Sequence, residues 1–247
     1  MDLGLAGKAF IVTGGTDGLG FATVQSLVAE GANVLVTGRT HEKYTRACKV
    51  LGSGAEMTIF EPGDNADPAL PARLQHAVLA RWGRLDGLLV SAGGPAPGRA
   101  LSTDDDMWRS AFESVFLGAV RLVRDLSAVM EDGGAIALVL ATSAREMAPG
   151  IPISSGLRPG LALLMKNFAE ELGPRNIRVN ALLPGMFATD RVKQLLADTS
   201  PDTSGLTLKR MGEPVEFGKM ATVMLSSAAS YVTGAAIAVD GGQVKVL

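Results

Sequence analysis

Apolar residues follow two rhythms along this chain. Short runs that are apolar at nearly every position alternate with longer stretches in which apolar residues recur every three or four positions. The short runs at 9–12, 33–37, 56–60, 85–90, 135–141, 177–182 and 236–239 predict strands. The longer stretches at 18–30, 41–51, 69–82, 104–130, 157–172 and 215–226 predict helices. Gly31, Gly83 and Gly173 follow three of them, where a helix commonly stops. Asp104, Asp105 and Asp106 open the longest, where acids complement the helix dipole.

Strands without an exposed polar face are covered on both sides, and intervening helices supply the cover. The expectation is an α/β fold: a central parallel sheet, doubly wound through right-handed crossovers and flanked by helices. No composition shift marks a boundary, so residues 1–247 are expected to form a single domain. The least regular stretch, 190–212, is expected to serve as a substrate lid.

Composition narrows the function classes. With 47% hydrophobic residues the chain can fill a large core. A formal net charge of −2, with no long basic block, argues against nucleic acid as a partner. No apolar run is long enough to cross a bilayer, and Met1–Gly4 begins no signal segment, so a cytoplasmic protein without membrane contact is expected. A lone cysteine, Cys48, rules out an internal disulfide framework.

The sharpest local signal is Thr13-Gly14-Gly15-Thr16-Asp17-Gly18-Leu19-Gly20, between the first strand and the first helix. Glycines allow a tight turn and close approach of phosphates, and the helix N-terminus attracts them. Gly14, Thr16, Gly18, Leu19 and Gly20 are therefore expected to hold a dinucleotide, which makes the fold Rossmann-type. The second strand ends at Gly38-Arg39-Thr40. Arginine at this point suits the 2′-phosphate of NADP, where an acid would favour NAD. Asp17 argues the other way, as a carboxylate near the same phosphate, so NAD stays open beside NADP.

With these residues in hand, the chain resembles the short-chain dehydrogenase/reductase family along nearly its whole length. Thr13-Gly14-x-x-x-Gly18-x-Gly20 resembles the family's cofactor motif, and Asp64 its adenine-contacting acid. The segment 85–94 resembles the strand ending in Asn-Asn-Ala-Gly, with Ser91 in place of an asparagine. Ile177-Arg178-Val179-Asn180, followed by Pro184-Gly185 and Thr189, resembles the strand and loop that cover the nicotinamide. Tyr231-Val232-Thr233-Gly234 and Val239-Asp240-Gly241-Gly242 resemble the C-terminal signature. The resemblance implies further cofactor contacts at Thr40, Asn65, Ser91, Ala92, Gly93 and Arg158, and a homodimer or homotetramer.

The family's catalytic residues are a serine, a tyrosine, a lysine four positions later and a helical asparagine. The lysine makes the phenol a usable acid near neutral pH. Ser143 fits the serine position, but the tyrosine and lysine positions hold Ser154 and Arg158. On a helix these two share a face, although Pro159-Gly160 suggests a helix that begins later. The asparagine position falls near Ser114-Val115. Both tyrosines, Tyr44 and Tyr231, lie elsewhere, His41 and His76 read as surface residues, and no cluster suits a metal. Met147, Met165, Met186 and Met211 are expected to pack near the substrate side or the core.

The expected activity is NADP(H)-dependent oxidation or reduction of a small or medium-sized alcohol or carbonyl compound, with Ser143, Ser154 and Arg158 as catalytic candidates. The alternative is a dinucleotide-binding homologue that acts as a sensor or scaffold. A lyase, isomerase or epimerase using the same pocket is a third reading without a positive sign. Segments 94–101, 144–153 and 186–210, with Arg99, Arg145 and Arg191, are expected to shape the pocket.

Overall fold

A computed structural model describes residues 2–95, 97–196 and 200–246. Seven strands form one sheet: β1 (Ala9–Val12), β2 (Asn33–Gly38), β3 (Thr58–Pro62), β4 (Gly87–Ser91), β5 (Ala135–Val139), β6 (Arg178–Pro184) and β7 (Ala236–Val239). Their order is β3-β2-β1-β4-β5-β6-β7, and every pairing is parallel. The fold is the doubly wound Rossmann type. Its order reverses between β1 and β4, and such a switch point opens a crevice at the carboxyl ends of the strands.

The helices are α1 (Gly18–Ala29), α2 (His41–Leu51), α3 (Leu70–Trp82), α4 (Asp105–Ala111), α5 (Gly118–Ser127), α6 (Pro152–Leu172), α7 (Asp190–Leu196) and α8 (Pro214–Leu225). Alternate strand residues feed two cores. Ala9, Ile11, Leu88, Val90, Ile136 and Leu138 pack with α3, α5 and α6. Phe10, Val12, Val34, Val36, Leu89 and Ala137 pack with α1 and α8. This two-sided burial explains the continuous apolar strand runs. Burying one such side chain is worth about 1.5–3 kcal/mol. α1 and α8 cross closely, because a Cβ on Gly218 would come within 2.3 Å of the Ala22 carbonyl oxygen.

Three expectations about the elements need correction. The third strand starts at Thr58 rather than Glu56, because a 3₁₀ segment, Gly52–Met57, takes up the chain first. The long 104–130 helix divides: Asp104 caps α4, a π-helical segment spans Phe112–Leu117, and α5 follows. There Gly118 presses on the loop after β3, where a Cβ would meet the Asn65 carbonyl oxygen at 2.3 Å. Arg121 ties the same turn to Glu113 at 3.0 Å and to the Ala66 carbonyl at 3.3 Å.

The sixth helix does not begin after Pro159. It begins at Pro152, which occupies the first turn where proline costs little. Pro159 lies inside the helix at an exposed position. The least regular stretch, 190–212, opens with α7. Residues 197–199 of the expected lid lie outside the described residues. Met165 is buried as expected, but Met147 is 73% exposed and packs into neither the core nor a pocket.

Candidate active site

β1 delivers Thr13 to the switch point beside β4. Its hydroxyl donates to the Ser91 carbonyl (2.8 Å) and accepts from the Ser91 N–H (2.9 Å). The Asn65 amide reaches both Thr13 Oγ1 and the Ser91 carbonyl at 3.4 Å. Gly14 turns at φ +59° under this clamp, and a Cβ there would lie 2.8 Å from the Ser91 oxygen. A Cβ on Gly20 would lie 2.3 Å from the Gly14 carbonyl oxygen. Asp17 accepts from the Gly18 N–H (2.8 Å) and so caps α1. The N–H groups of Leu19 and Gly20 have no acceptor among the described residues. A turn of this shape, closed to side chains and headed by free N–H groups, fits a pyrophosphate.

The other end of that crevice carries charge. Thr16 lies over Gly38, where a Cβ would come within 2.6 Å of its hydroxyl. Arg39 follows, exposed and without a hydrogen bond or ion pair among the described residues, and Thr40 begins α2 without a side-chain cap. Asp17 pairs with Lys43 of α2 at 2.8 Å. The expected repulsion between Asp17 and a ribose phosphate is therefore offset by a neighbouring cation.

The chemistry-bearing side chains gather beyond β5. Ser143 lies in a short 3₁₀ turn, Thr142–Ala144, directly after that strand. Ser154 and Arg158 face it from adjacent turns of α6. The Ser143 and Ser154 hydroxyl oxygens are 2.9 Å apart. Arg158 Nε donates to Ser154 Oγ (3.0 Å), and Nη1 donates to the Val139 carbonyl (3.0 Å). All three are buried, with Ser143 3% exposed and Ser154 and Arg158 each 5% exposed. Burial, and after it the nearby charge of Arg191, pushes the Arg158 guanidinium down to about 10, the ordinary range of a lysine. Arg158 also lines a small cavity with Ala92, Val115, Val139 and Leu161.

The loop after β6 closes the crevice from above. The Gly185 N–H donates to the Val239 carbonyl of β7 (3.0 Å), and a Cβ on Gly185 would strike Asp240 at 2.7 Å. Pro184 ends β6, paired with Val239. Thr189 caps α7 through the Val192 N–H (3.3 Å), and its methyl lies 3.6 Å from where a Gly18 Cβ would be. Arg191 then lies against Gly93 and Gly94 and donates to the Pro95 carbonyl (3.0 Å).

The family pattern described as enoyl-(acyl carrier protein) reductase matches residues 14–243. The chain belongs to the short-chain dehydrogenase/reductase family. It is 30% identical to dehydrogenase/reductase SDR family member 4 of Homo sapiens, over 96% of this chain and 88% of that one. It is 28% identical to the 3-oxoacyl-[acyl-carrier-protein] reductase FabG of Chlamydia muridarum, over 96% and 98%. Among solved structures it is similar to L-sorbose reductase from Gluconobacter frateurii complexed with NADPH and L-sorbose (28% identity, TM-score 0.91, all of both chains). It is also similar to YwfH, an NADPH-dependent reductase involved in bacilysin biosynthesis (25% identity, TM-score 0.90, 97% of this chain and 99% of that one).

In this short-chain dehydrogenase/reductase several other residues stay apart from the serine pair. Tyr44 stacks on Phe60 and bonds Thr58 (2.9 Å) between α2 and β3, and burial pushes its phenol up. Tyr231 is fully exposed. Asp64 is exposed at the crevice rim, where it accepts from the Ala66 N–H at 3.0 Å. Ser114 bonds back to the Ser110 carbonyl (2.9 Å), and it is Val115 that lines the Arg158 cavity. Among the described residues no group of His, Cys, Asp and Glu could hold a metal, and no helix is long and apolar enough to cross a membrane. Sequence reasoning missed Lys43, because its link to Asp17 spans 26 positions and no local pattern announces it.

Proposed function

We propose that this chain is an NADP(H)-dependent carbonyl reductase, or alcohol dehydrogenase in reverse, in which a serine pair and an arginine stand in for the family's tyrosine and lysine. Gly14, Thr16, Gly18, Leu19 and Gly20 would hold the pyrophosphate, and Arg39 and Thr40 the 2′-phosphate. Asp64 and Asn65 would border the adenosine, and Ser91, Ala92, Gly93, Pro184, Gly185 and Thr189 the nicotinamide half. Residues 1–247 would act as one domain, with 190–212 as its lid. When bound, the nicotinamide supplies or accepts the hydride.

One observation carries the reading: the hydrogen-bonded chain from Arg158 to Ser154 to Ser143. Ser154 Oγ already accepts from Arg158. The two hydroxyls own two hydrogens and use one between them, so in either direction one hydroxyl hydrogen is left for a third atom. A substrate carbonyl oxygen is an acceptor of the right kind. As that oxygen gains negative charge, the hydroxyl bond and the buried guanidinium stabilise it in a site that screens little. Water entering at the mouth supplies the proton that completes the alcohol. Arg158 needs no proton transfer of its own in this scheme, although burial brings it into a lysine's range.

The test is NADPH oxidation across a carbonyl panel, compared with NADH, for the native protein and Ser143→Ala. Removing one donor to a developing oxyanion costs about 10²–10³-fold in kcat. Full activity in Ser143→Ala would remove Ser143 from the mechanism. The second reading, cofactor binding without turnover, is favoured by the near-complete burial of both serines. It predicts tight NADPH binding and no oxidation with any panel member. The homodimer or homotetramer expectation finds support in exposed apolar side chains on the α4–α6 side, with Phe112 42% and Leu163 68% exposed.

A further inference from the structure

Two guanidinium groups share the substrate side of the crevice, and neither is paired with an acid among the described residues. Arg158 is buried and lines the cavity beneath Ala92. Arg191 comes from the other wall, out of α7, and lies along the bare backbone of Gly93 and Gly94. Among the described residues both bond only to neutral oxygens: Arg158 to Ser154 and Val139, Arg191 to Pro95. Neither has a carboxylate within ion-pair distance among the described residues, although most arginines of this chain that face an acid use it, such as Arg73, Arg84, Arg121 and Arg210. The two are close enough for Arg191 to weigh on Arg158, and no acid weighs against it.

Like charges held together around a cleft raise each other's energy unless an anion joins them. A planar guanidinium recognises a carboxylate through paired N–H donors. Arg191 has one N–H committed to Pro95 and the others without an acceptor among the described residues. The absence of side chains at positions 93 and 94 lets the guanidinium itself lie in the crevice, 3.5 Å from where their Cβ atoms would be. We infer that the substrate is an oxo acid, its carbonyl oxygen at the Ser143–Ser154 pair and its carboxylate held by Arg191. This rests on the reductase reading for the carbonyl half, while the carboxylate half stands or falls on binding alone. The pyrophosphate of the cofactor is the rival anion. Thr189, two residues before Arg191, reaches Gly18 of the pyrophosphate turn, so titration with NADP⁺ already bound is what separates the two anions.

The experiment is calorimetric titration of the whole chain with 2-oxobutanoate, 3-oxobutanoate and 4-oxopentanoate, each beside its methyl ester. The protein is titrated alone and saturated with NADP⁺, so that no turnover occurs. At least one acid should bind tenfold or more tightly than its ester, with an affinity that falls as salt rises. Arg191→Met should abolish that advantage, and Arg191→Lys should restore part of it. The lysine variant guards against a methionine variant that merely folds badly. Equal binding of every acid and its ester overturns the inference. So does an Arg191→Met protein that loses NADP⁺ affinity while keeping its preference for acids, since Arg191 then serves the cofactor. Failure of the reductase reading shows separately: the acid preference would persist while NADPH oxidation is absent.

Discussion

The turn after β1 and the serine–arginine cluster after β5 lie at the same edge of one sheet, yet they are held by different means. The turn is a backbone device. Its shape comes from glycines that approach other backbone atoms so closely that no side chain fits: Gly20 against Gly14, and Gly14 against Ser91. The cluster is a side-chain device. Its three members come from a 3₁₀ turn and one helix, and two hydrogen bonds and an anchor on Val139 fix their positions. A backbone device tolerates almost no substitution, because the atoms in the way cannot move aside. A side-chain device can exchange its groups if charge and reach are kept, which is what the proposed replacement of a phenol and a lysine by a serine pair and an arginine requires.

The largest effect should come from breaking the backbone device. Gly20→Ala places a methyl 2.3 Å from a carbonyl oxygen that belongs to the turn itself. The turn must open, and the N–H groups of Leu19 and Gly20 lose their aim. NADPH affinity should fall roughly 100-fold, equivalent to about 3 kcal/mol. Nicotinamide fluorescence titration measures this directly. Unchanged affinity would mean that the dinucleotide does not rest on this turn.

A smaller effect tests the charged end of the same crevice. Arg39 is exposed and engaged with nothing in the described structure, while Asp17 is held by Lys43. Arg39→Asp should shift the ratio of NADPH to NADH affinity roughly tenfold or more toward NADH, because a phosphate loses its cation and ribose hydroxyls gain an acceptor. A ratio that does not move would transfer 2′-phosphate recognition to Lys43 or Arg46, which line the adjoining cavity beside Thr16 and Asp17.

The same contrast explains what the sequence made legible. Strand runs and glycine spacings are local, so the sheet, its covering helices and the Gly14–Gly20 turn could be read directly. The resemblance also pointed to Ser143, and to Ser154 and Arg158, whose spacing along one helix is kept even with Pro159 inside it. What escaped was tertiary. The π-helical break at Phe112–Leu117 arises where Gly118 meets the Asn65 backbone, more than fifty residues earlier in the chain. The Asp17–Lys43 pair and the meeting of Arg191 with Gly93 and Gly94 are likewise contacts that neither propensity nor periodicity encodes.

The finest comparison sets the stability of the side-chain device against its use. Folded Arg158 gives up its proton near pH 10, whereas the unfolded chain holds it to the ordinary, higher value. Below pH 10 both states are charged, and burying that charge costs about 3 kcal/mol. Arg158→Met removes this cost together with two hydrogen bonds from a charged donor, each worth about 1.5–3 kcal/mol. The terms oppose each other, so the melting temperature at pH 7 should move by only a few degrees, while carbonyl reduction is lost. Above pH 10 the unfolded native sequence binds more protons than the folded one, so its stability gains on that of the methionine variant as pH rises. Denaturant unfolding of both proteins at pH 8, 9, 10 and 11 measures the difference. A gap that is flat to pH 9 and then moves in favour of the native sequence marks Arg158 as a cation buried at a cost. A gap that is flat throughout would mean that water reaches the guanidinium, and the electrostatic part of the proposed catalysis would shrink with it.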